Sequence, residues 1–393
     1  MVNILHIVPD IDGGGVGAVV FNYLSNMDRK GFNIDVVARD YGYKQFMHDN
    51  FTACGINIFY VTQKNKKLLQ HFKEIDEIMK KKHYDVVHCH DQNWSYFYLK
   101  LAKKNNVPVR IAHSHLTTQN NDRIKIAILN LFTPALKKIA TGYFACGKEA
   151  GAYMWGWDLV NSGKVYIMKN AVNLDRFQFC ENDRENIRNR MNWNDKFVIG
   201  HVGRFNEQKN HKYLIQVFRH FHDMYPNSLL ALVGQGELEE DIRKSISDLQ
   251  LENCVELLGV RGDVPELMSA FDLFLFPSLY EGLPVVGVEA QANGLSCIFS
   301  DTITQEVNLL DSTVFLSLEA DIRDWVVAIE NCVKRGSNNR ELAHDRIREK
   351  GFDIKAESEN LRKYYLNNLN TCLMRSQTVS YTHLRAHETL SDL

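Results

Sequence analysis

Short apolar runs of four to six residues alternate with amphipathic stretches of helix length along most of the chain, and this alternation limits the fold more than any other feature. A run that is apolar at every position has no solvent face, so a strand built from it needs cover on both sides. Helices crossing between parallel strands supply that cover. In the first half the predicted strands are Asn3–Val8, Asn33–Ala38, Ile56–Val61, Asp85–Cys89, Val107–Ala112, Gly142–Cys146 and Val165–Met168. In the second half they are Phe197–Val202, Leu229–Val233, Cys254–Leu258, Asp272–Phe276 and Leu295–Phe299. No short-period repeat is visible. The polar segment Cys180–Asn194 separates one set of strands from the next, which predicts an α/β fold of two Rossmann-like halves facing across a cleft. We divide the chain at 1–175 and 176–353, followed by 354–375, which carries a final helix over Ile354–Leu369. The remainder, 376–393, has no clear period and reads as a non-native or disordered tail.

Composition narrows the class. With 45% hydrophobic and 24% charged residues, the chain is neither disordered, collagenous nor a coiled coil. No apolar run reaches about 18 residues, so no membrane span is expected, and the start MVNILHIVPD lacks the basic segment of a signal peptide. Eight cysteines are scattered without a CxxC pair, which points to a reducing cytoplasm. The net charge of −2 conceals a division. Residues 1–170 hold 22 basic and 14 acidic side chains, a net of +8, while the rest hold 24 and 34, a net of −10. Such a split suggests that the two halves meet different partners.

In open α/β sheets ligands bind beyond the carboxyl ends of the strands. The most informative loop there is FPSLYEGLPVVGVEAQAN, residues 276–293. A strand ends at Pro277, Glu281 stands in a short loop, and Pro284 heads a helix, where its missing N–H costs nothing. Leu283 cannot cap, so the amides of Val285, Val286 and Gly287 are expected to lack a local side-chain acceptor and to form an anion site. Glu289 lies one turn, about 5.4 Å, beyond Val285 on the same face. Two carboxylates beside an anion site suit a phosphate flanked by hydroxyls, as in a nucleotide-sugar. Two exposed glutamates at a helix start is the plainer reading.

The second loop is GHVGRFNEQKN, residues 200–210. It puts Arg204 and Lys209 just past a strand, where two cations would neutralise a diphosphate leaving group. A charge-assisted hydrogen bond of that kind is worth about 1.5–3 kcal/mol. A solvated surface pair is the alternative.

Together with LVGQGELEEDI and SDTITQEV, these stretches resemble the C-terminal half of family 4 glycosyltransferases of the GT-B fold, most closely the branch making bacterial capsular and exopolysaccharides. The resemblance covers most of Phe197–Val307. It implies that Glu281 holds the transferred sugar, Glu289 the ribose hydroxyls, and Arg204 and Lys209 the diphosphate. Gly282, Leu283, Pro284, Val285 and Val286 would complete the donor site, with Arg261 in the loop Gly259–Asp263 near the base. It also implies a final helix that returns to the first domain. Two positions depart from the pattern: Gly287 replaces a helix former, at about 1 kcal/mol, and Ser296 stands where Pro is usual.

In the first half, DGGGVGAV (Asp12–Val19) follows the first strand. By resemblance its glycines Gly13, Gly14 and Gly15 line the cleft, although the polar residue usual near Gly17 is absent. The same stretch fits a dinucleotide fingerprint with Asp35 and Asp40 downstream, but Pro9 and three further residues separate the strand from Gly13. Asp10-Ile11-Asp12 matches DxD formally, at a position unsuited to a metal site. His88/His90 and His113/His115 end two neighbouring strands. They offer a histidine metal site, polar strand ends in solvent, or, by resemblance, one cleft histidine after the fifth strand. We favour His115 over His113 for that role, and read His6 and His201 as structural.

Lys64–Lys82 is a basic amphipathic stretch, with Trp94, Tyr96, Phe97 and Tyr98 following. It is either a solvated face or a contact with an anionic membrane leaflet. No aromatic-basic nucleic-acid module is present.

These readings converge on a retaining, metal-independent glycosyltransferase without cofactor. Its donor would be a nucleotide-sugar, UDP-linked by preference over GDP or ADP, and its acceptor a saccharide or lipid-linked saccharide. The enzyme would be cytoplasmic or peripheral on the inner membrane face. A sugar-nucleotide epimerase, an NAD-dependent oxidoreductase and a catalytically silent binding partner are the competing readings.

Overall fold

A computed structural model of the chain describes residues 1–12, 15–115, 131–336 and 340–371. The tail after 375 and glycines 13 and 14 lie outside the described residues. The chain forms two compact units, Met1–Met168 with the chain from Lys355 onward, and Lys169–Ile354.

The first unit carries seven parallel strands: β1 (Val2–Ile7), β2 (Phe32–Arg39), β3 (Asn57–Val61), β4 (Val86–Cys89), β5 (Val109–Ser114), β6 (Gly142–Ala145) and β7 (Val165–Ile167), in the order β3-β2-β1-β4-β5-β6-β7. The central strands are largely buried: β4 at all four positions, β5 at five of six and β1 at four of six. This is why they are apolar runs without alternation. Strand β5 starts and ends two residues later than its sequence suggests, so His113 lies inside it and His115 just past its tip.

The second unit carries six: β8 (Phe197–Val202), β9 (Ser228–Val233), β10 (Val255–Gly259), β11 (Leu273–Phe276), β12 (Ser296–Ser300) and β13 (Thr313–Leu316), in the order β10-β9-β8-β11-β12-β13. The sequence pattern does not reveal β13. It is a four-residue strand at the sheet edge, half-buried at every position, so it lacks the continuous apolar signature of its neighbours. Between the strands run amphipathic helices such as His211–Met224, which buries His211, Leu214, Ile215, Phe218 and Phe221 at helical spacing.

The division between units falls earlier than residue 175. Asn170 Nδ2 donates to the Leu283 carbonyl, Lys169 Nζ to the Lys350 carbonyl, and Val172 bridges Asp353, so this stretch belongs to the second unit. A helix over 354–371 follows; from Lys355 it belongs to the first unit.

Both strand orders reverse direction once, between β1 and β4 and between β8 and β11. Loops leaving the carboxyl ends at such a point diverge and open a crevice. The loop after β8 contains Arg204 and Lys209, and the loop after β11 contains Glu281. The topology therefore brings together two stretches separated by some seventy residues.

Candidate active site

In the second unit the two loops are tied by backbone. Leu279 N donates to the Gln208 carbonyl at 2.8 Å, and Gln208 Nε2 to the Tyr280 carbonyl at 2.9 Å. Asn206 caps the turn Glu207–Lys209, its Oδ1 accepting from Lys209 N at 3.2 Å. This turn aims Lys209 inward. Its Nζ lies 2.6 Å from Glu281 Oε1 and 4.4 Å from the centre of the Phe276 ring. The two side chains are only 14% and 11% exposed, so the pair is largely desolvated.

The seat of the β8 loop against the loop after β9 depends on Gly234, at φ +140°. A Cβ there would stand 2.0 Å from the Gly203 carbonyl oxygen. Gly287 serves packing in a similar way, since a Cβ would press on Phe299, Pro284 and Val307 at 3.2–3.3 Å. The helix-propensity cost of that glycine is offset by a tighter seat against β12.

Pro284 is the cap of the helix Val285–Ala292 rather than its first residue, and no side chain caps that end. Gly287 N donates to the Pro284 carbonyl at 3.1 Å. The three amides thus lack a side-chain acceptor as expected, but Gly287 N is engaged by backbone, so Val285 and Val286, both half-exposed, are the ones left at the helix start. Gly282, Leu283 and Pro284 are buried and can meet a ligand only through backbone. Glu289 keeps some exposed surface, yet burial of its carboxyl pushes its pKa up to about 7, opposed by Arg176.

The remaining candidates are placed differently. Arg204 is exposed and pairs with Glu237 at 3.3 Å. Arg261 grips Asp263 with two nitrogens at 2.8 and 2.6 Å, which holds the Asp263 pKa down at about 2. That fork is committed within its own loop, so Arg261 is not a free contact for a base. Arg176, which the sequence reading passed over, donates to the Gly262 carbonyl at 3.0 Å and acts on Glu289. A lone arginine in a polar stretch carries no signal of its own. Asn170 was also missed; its Oδ1 is buried without a partner among the described residues. A groove of about 600 Å³ in the same unit is lined by Asn206, Leu238, Asp241 and Leu279, but none of the charged candidates lines it.

In the first unit five histidines form one buried cluster. His6 Nδ1 lies 3.1 Å from His90 Nε2, and His90 Nδ1 lies 2.9 Å from His115 Nε2. His6 is therefore no isolated strand residue, whereas His201, bonded to the Leu275 carbonyl, is seated among phenylalanines. The two HxH pairs are buried, which overturns polar strand ends in solvent as their explanation. Desolvation lowers the pKa of His6 and His115 to about 3, and that of His88, His90 and His113 in the same direction, so all are neutral rings. Nitrogens of His6, His88 and His90, and of His90, His113 and His115, come within 4.8 Å of one another. The rings within each HxH pair lie face over face, however, with centroids 4.2 and 3.9 Å apart. Stacked rings direct their in-plane lone pairs along parallel lines rather than toward one ion.

Of Gly13, Gly14 and Gly15 only Gly15 is described, exposed at the start of the helix Gly15–Asn26. Asp12 accepts from the Tyr43 hydroxyl and from Phe46 N. The basic helix spans Leu68–Lys81 and buries His71, Ile75, Asp76 and Met79. Trp94, Phe97 and Tyr98 pack against Phe72 on that helix, so these aromatics serve packing between helices. No helix among the described residues is long and apolar enough to cross a membrane.

Residues 183–349 match the glycosyl transferases group 1 family and residues 13–176 match glycosyltransferase family 4. EpsF of Bacillus subtilis (strain 168) is 31% identical over 89% of this chain and 92% of its own length. An Escherichia coli UDP-Gal:alpha-D-GlcNAc-diphosphoundecaprenol alpha-1,3-galactosyltransferase is 26% identical over 73% of this chain and 76% of its own. Among solved structures, Anabaena HepE in complex with UDP-glucose superposes with a TM-score of 0.75 at 16% identity, covering 93% of this chain and all of that one. That likeness concerns the fold, which is GT-B. With two parallel sheets, family matches across both halves and a relative of this identity along nearly its full length, the chain belongs to glycosyltransferase family 4.

Proposed function

We propose that this glycosyltransferase transfers a hexose from a UDP-sugar to a lipid-linked saccharide, with retention of anomeric configuration and without a metal ion, in cell-surface polysaccharide synthesis. The observation that carries the proposal is the desolvated Lys209–Glu281 pair at the β8/β11 switch point, beside the helix start at Val285 and Val286. The UDP of the HepE complex and the diphosphoundecaprenol acceptor in the name of the E. coli relative support the donor and acceptor classes.

In this mechanism the C1–O bond to the diphosphate breaks and its electron pair stays on the departing phosphate oxygen. The acceptor hydroxyl attacks C1 from the same face and gives its proton to that oxygen. Lys209, Arg204 and the two amides stabilise the charge that develops, the term that dominates such reactions. Glu281 and Glu289 accept hydrogen bonds from sugar and ribose hydroxyls, and Arg176 sits where it can follow Glu289 into the nucleoside site. His115 supplies a neutral imidazole to a sugar hydroxyl. The basic first unit holds the enzyme at an anionic membrane surface on its cytoplasmic side.

The test is a transfer assay across UDP-, GDP- and ADP-sugars with a diphosphate-linked lipid saccharide, in EDTA, with the anomer of the product read by NMR. Transfer from UDP-sugars giving the donor's own anomer is expected. Acceptor-free conversion of the sugar, or full activity in Glu281→Ala and Lys209→Ala, would sink the proposal.

A further inference from the structure

The histidine cluster has a directional internal order. His6 and His90 have centroids 5.3 Å apart and planes 18° apart, with nitrogens at 3.1 Å. His90 and His115 have centroids 5.2 Å apart with nitrogens at 2.9 Å. Those separations are what two rings need to meet edge to edge through one N–H···N bond, in contrast to the face-over-face HxH pairs. A row of imidazoles thus runs from β1 through the residue after β4 to the residue after β5. At its far end stands Tyr365 of the helix 354–371, its hydroxyl 3.4 Å from His6 Nε2 and 2.8 Å from His88 Nδ1.

A neutral imidazole has one N–H and one lone pair, so each ring in the row must donate on one side and accept on the other. Fixing the proton at one end fixes every ring. The hydroxyl has one proton to give, and O–H bonds run shorter than N–H bonds, so the assignment puts it on the shorter contact: Tyr365 donates to His88 Nδ1 at 2.8 Å, while its oxygen accepts from His6 Nε2–H at 3.4 Å. His6 Nδ1 is then an acceptor and takes the proton of His90 Nε2–H. His90 Nδ1 in turn takes that of His115 Nε2–H. The nitrogen of His115 outside the row, Nδ1, is left with its lone pair.

We propose that Tyr365 is a positioning residue that sets the tautomer of His115 through His6 and His90, so that Nδ1 faces its ligand as a hydrogen-bond acceptor for a hydroxyl. The identity of that ligand as a sugar rests on the glycosyltransferase reading above; the tautomer assignment does not. The same logic gives a reversal. With His88 replaced by an apolar residue, the Tyr365 hydroxyl keeps only His6 Nε2 as acceptor in this row. Donation there protonates His6 Nδ1, His90 Nδ1 and finally His115 Nδ1.

The full chain labelled with 15N-histidine tests this by long-range 1H–15N correlation, with His115 assigned through His115→Gln. In the unsubstituted protein His115 is expected to carry its proton on Nε2. In His88→Leu the protonated and unprotonated nitrogen signals of His115 should exchange places. In Tyr365→Phe, and independently in His6→Leu, the row loses its anchor and both signals should move to averaged positions. A His115 protonated on Nδ1 in the unsubstituted protein, or unchanged in all folded variants, would overturn the proposal. The readout needs neither donor nor acceptor, so its outcome is separate from the assignment of activity. Where that assignment holds, His88→Leu lowers kcat/KM about tenfold, the size of one misdirected hydrogen bond, with UDP affinity unchanged.

Discussion

Lys209 Nζ lies 2.6 Å from Glu281 Oε1, so the loops after β8 and β11 meet in one largely buried ion pair. The pair makes the two substitutions opposite in sign for nucleotide binding. Lys209→Met removes the cation that meets the diphosphate in the proposed mechanism, so UDP affinity should fall about 10- to 100-fold, the size of a charge-assisted hydrogen bond. Glu281→Gln frees the cation for the diphosphate, so UDP should bind more tightly while transfer is lost. Calorimetric titration of UDP into each variant measures both, and the double variant should fall short of the sum because the residues touch.

Donor binding should also depend on pH through Glu289, whose pKa stands near 7. Only the ionised carboxylate accepts from both ribose hydroxyls, so affinity weakens as pH falls through 7, at most tenfold per unit. UDP-sugar dissociation constants at pH 6 and 8 should differ in that direction, and Glu289→Gln should flatten the difference.

A Cβ at Gly234 would overlap the Gly203 carbonyl in a backbone conformation that L residues rarely adopt. Gly234→Ala should lower stability by about 2 kcal/mol and displace the loop bearing Lys209. Urea denaturation and UDP titration of one preparation would separate the two effects.

The buried histidines predict loss of stability in acid. An unfolded histidine binds a proton near pH 6.5, whereas His6 and His115 resist protonation down to about 3, and His88, His90, His113 and His201 shift the same way. Below pH 6.5 the unfolded chain holds more protons, so stability falls as pH drops, by up to about 1.4 kcal/mol per pH unit for each such group. Urea midpoints between pH 7 and 5 should decrease steeply, and His113→Leu should reduce the slope by one proton.

Membrane association through the basic first unit predicts flotation with anionic vesicles at low salt and release at high salt. Nucleotide affinity, set by the buried pair, should respond less. Failure to float at low salt would remove the membrane from the proposal.

The two parallel sheets were legible because buried central strands such as β4 and β9 must be apolar on both faces, and twelve of the thirteen strands lie within two residues of their predicted positions. Edge strand β13, partly open to solvent, lacked that mark. At the candidate site, residue type and spacing named Arg204, Lys209, Glu281 and Glu289 as candidates beside the plainer reading of exposed surface charges, and the family resemblance gave each its expected role. Arg176 and Asn170 were invisible, because they depend on contacts across the fold, and the fork of Arg261 onto Asp263 is a side-chain rotamer that spacing does not fix. The histidines show the limit most clearly. Two HxH pairs can be read from the chain, but His6 looked like an isolated core residue and Tyr365 like part of a terminal helix. The sequence by itself determined which elements form and which chemistry each loop carries, because both follow from local pattern and side-chain type. Only the tertiary structure decided which nitrogen meets which, since hydrogen-bond order and desolvation arise when strands distant in sequence become neighbours in a sheet.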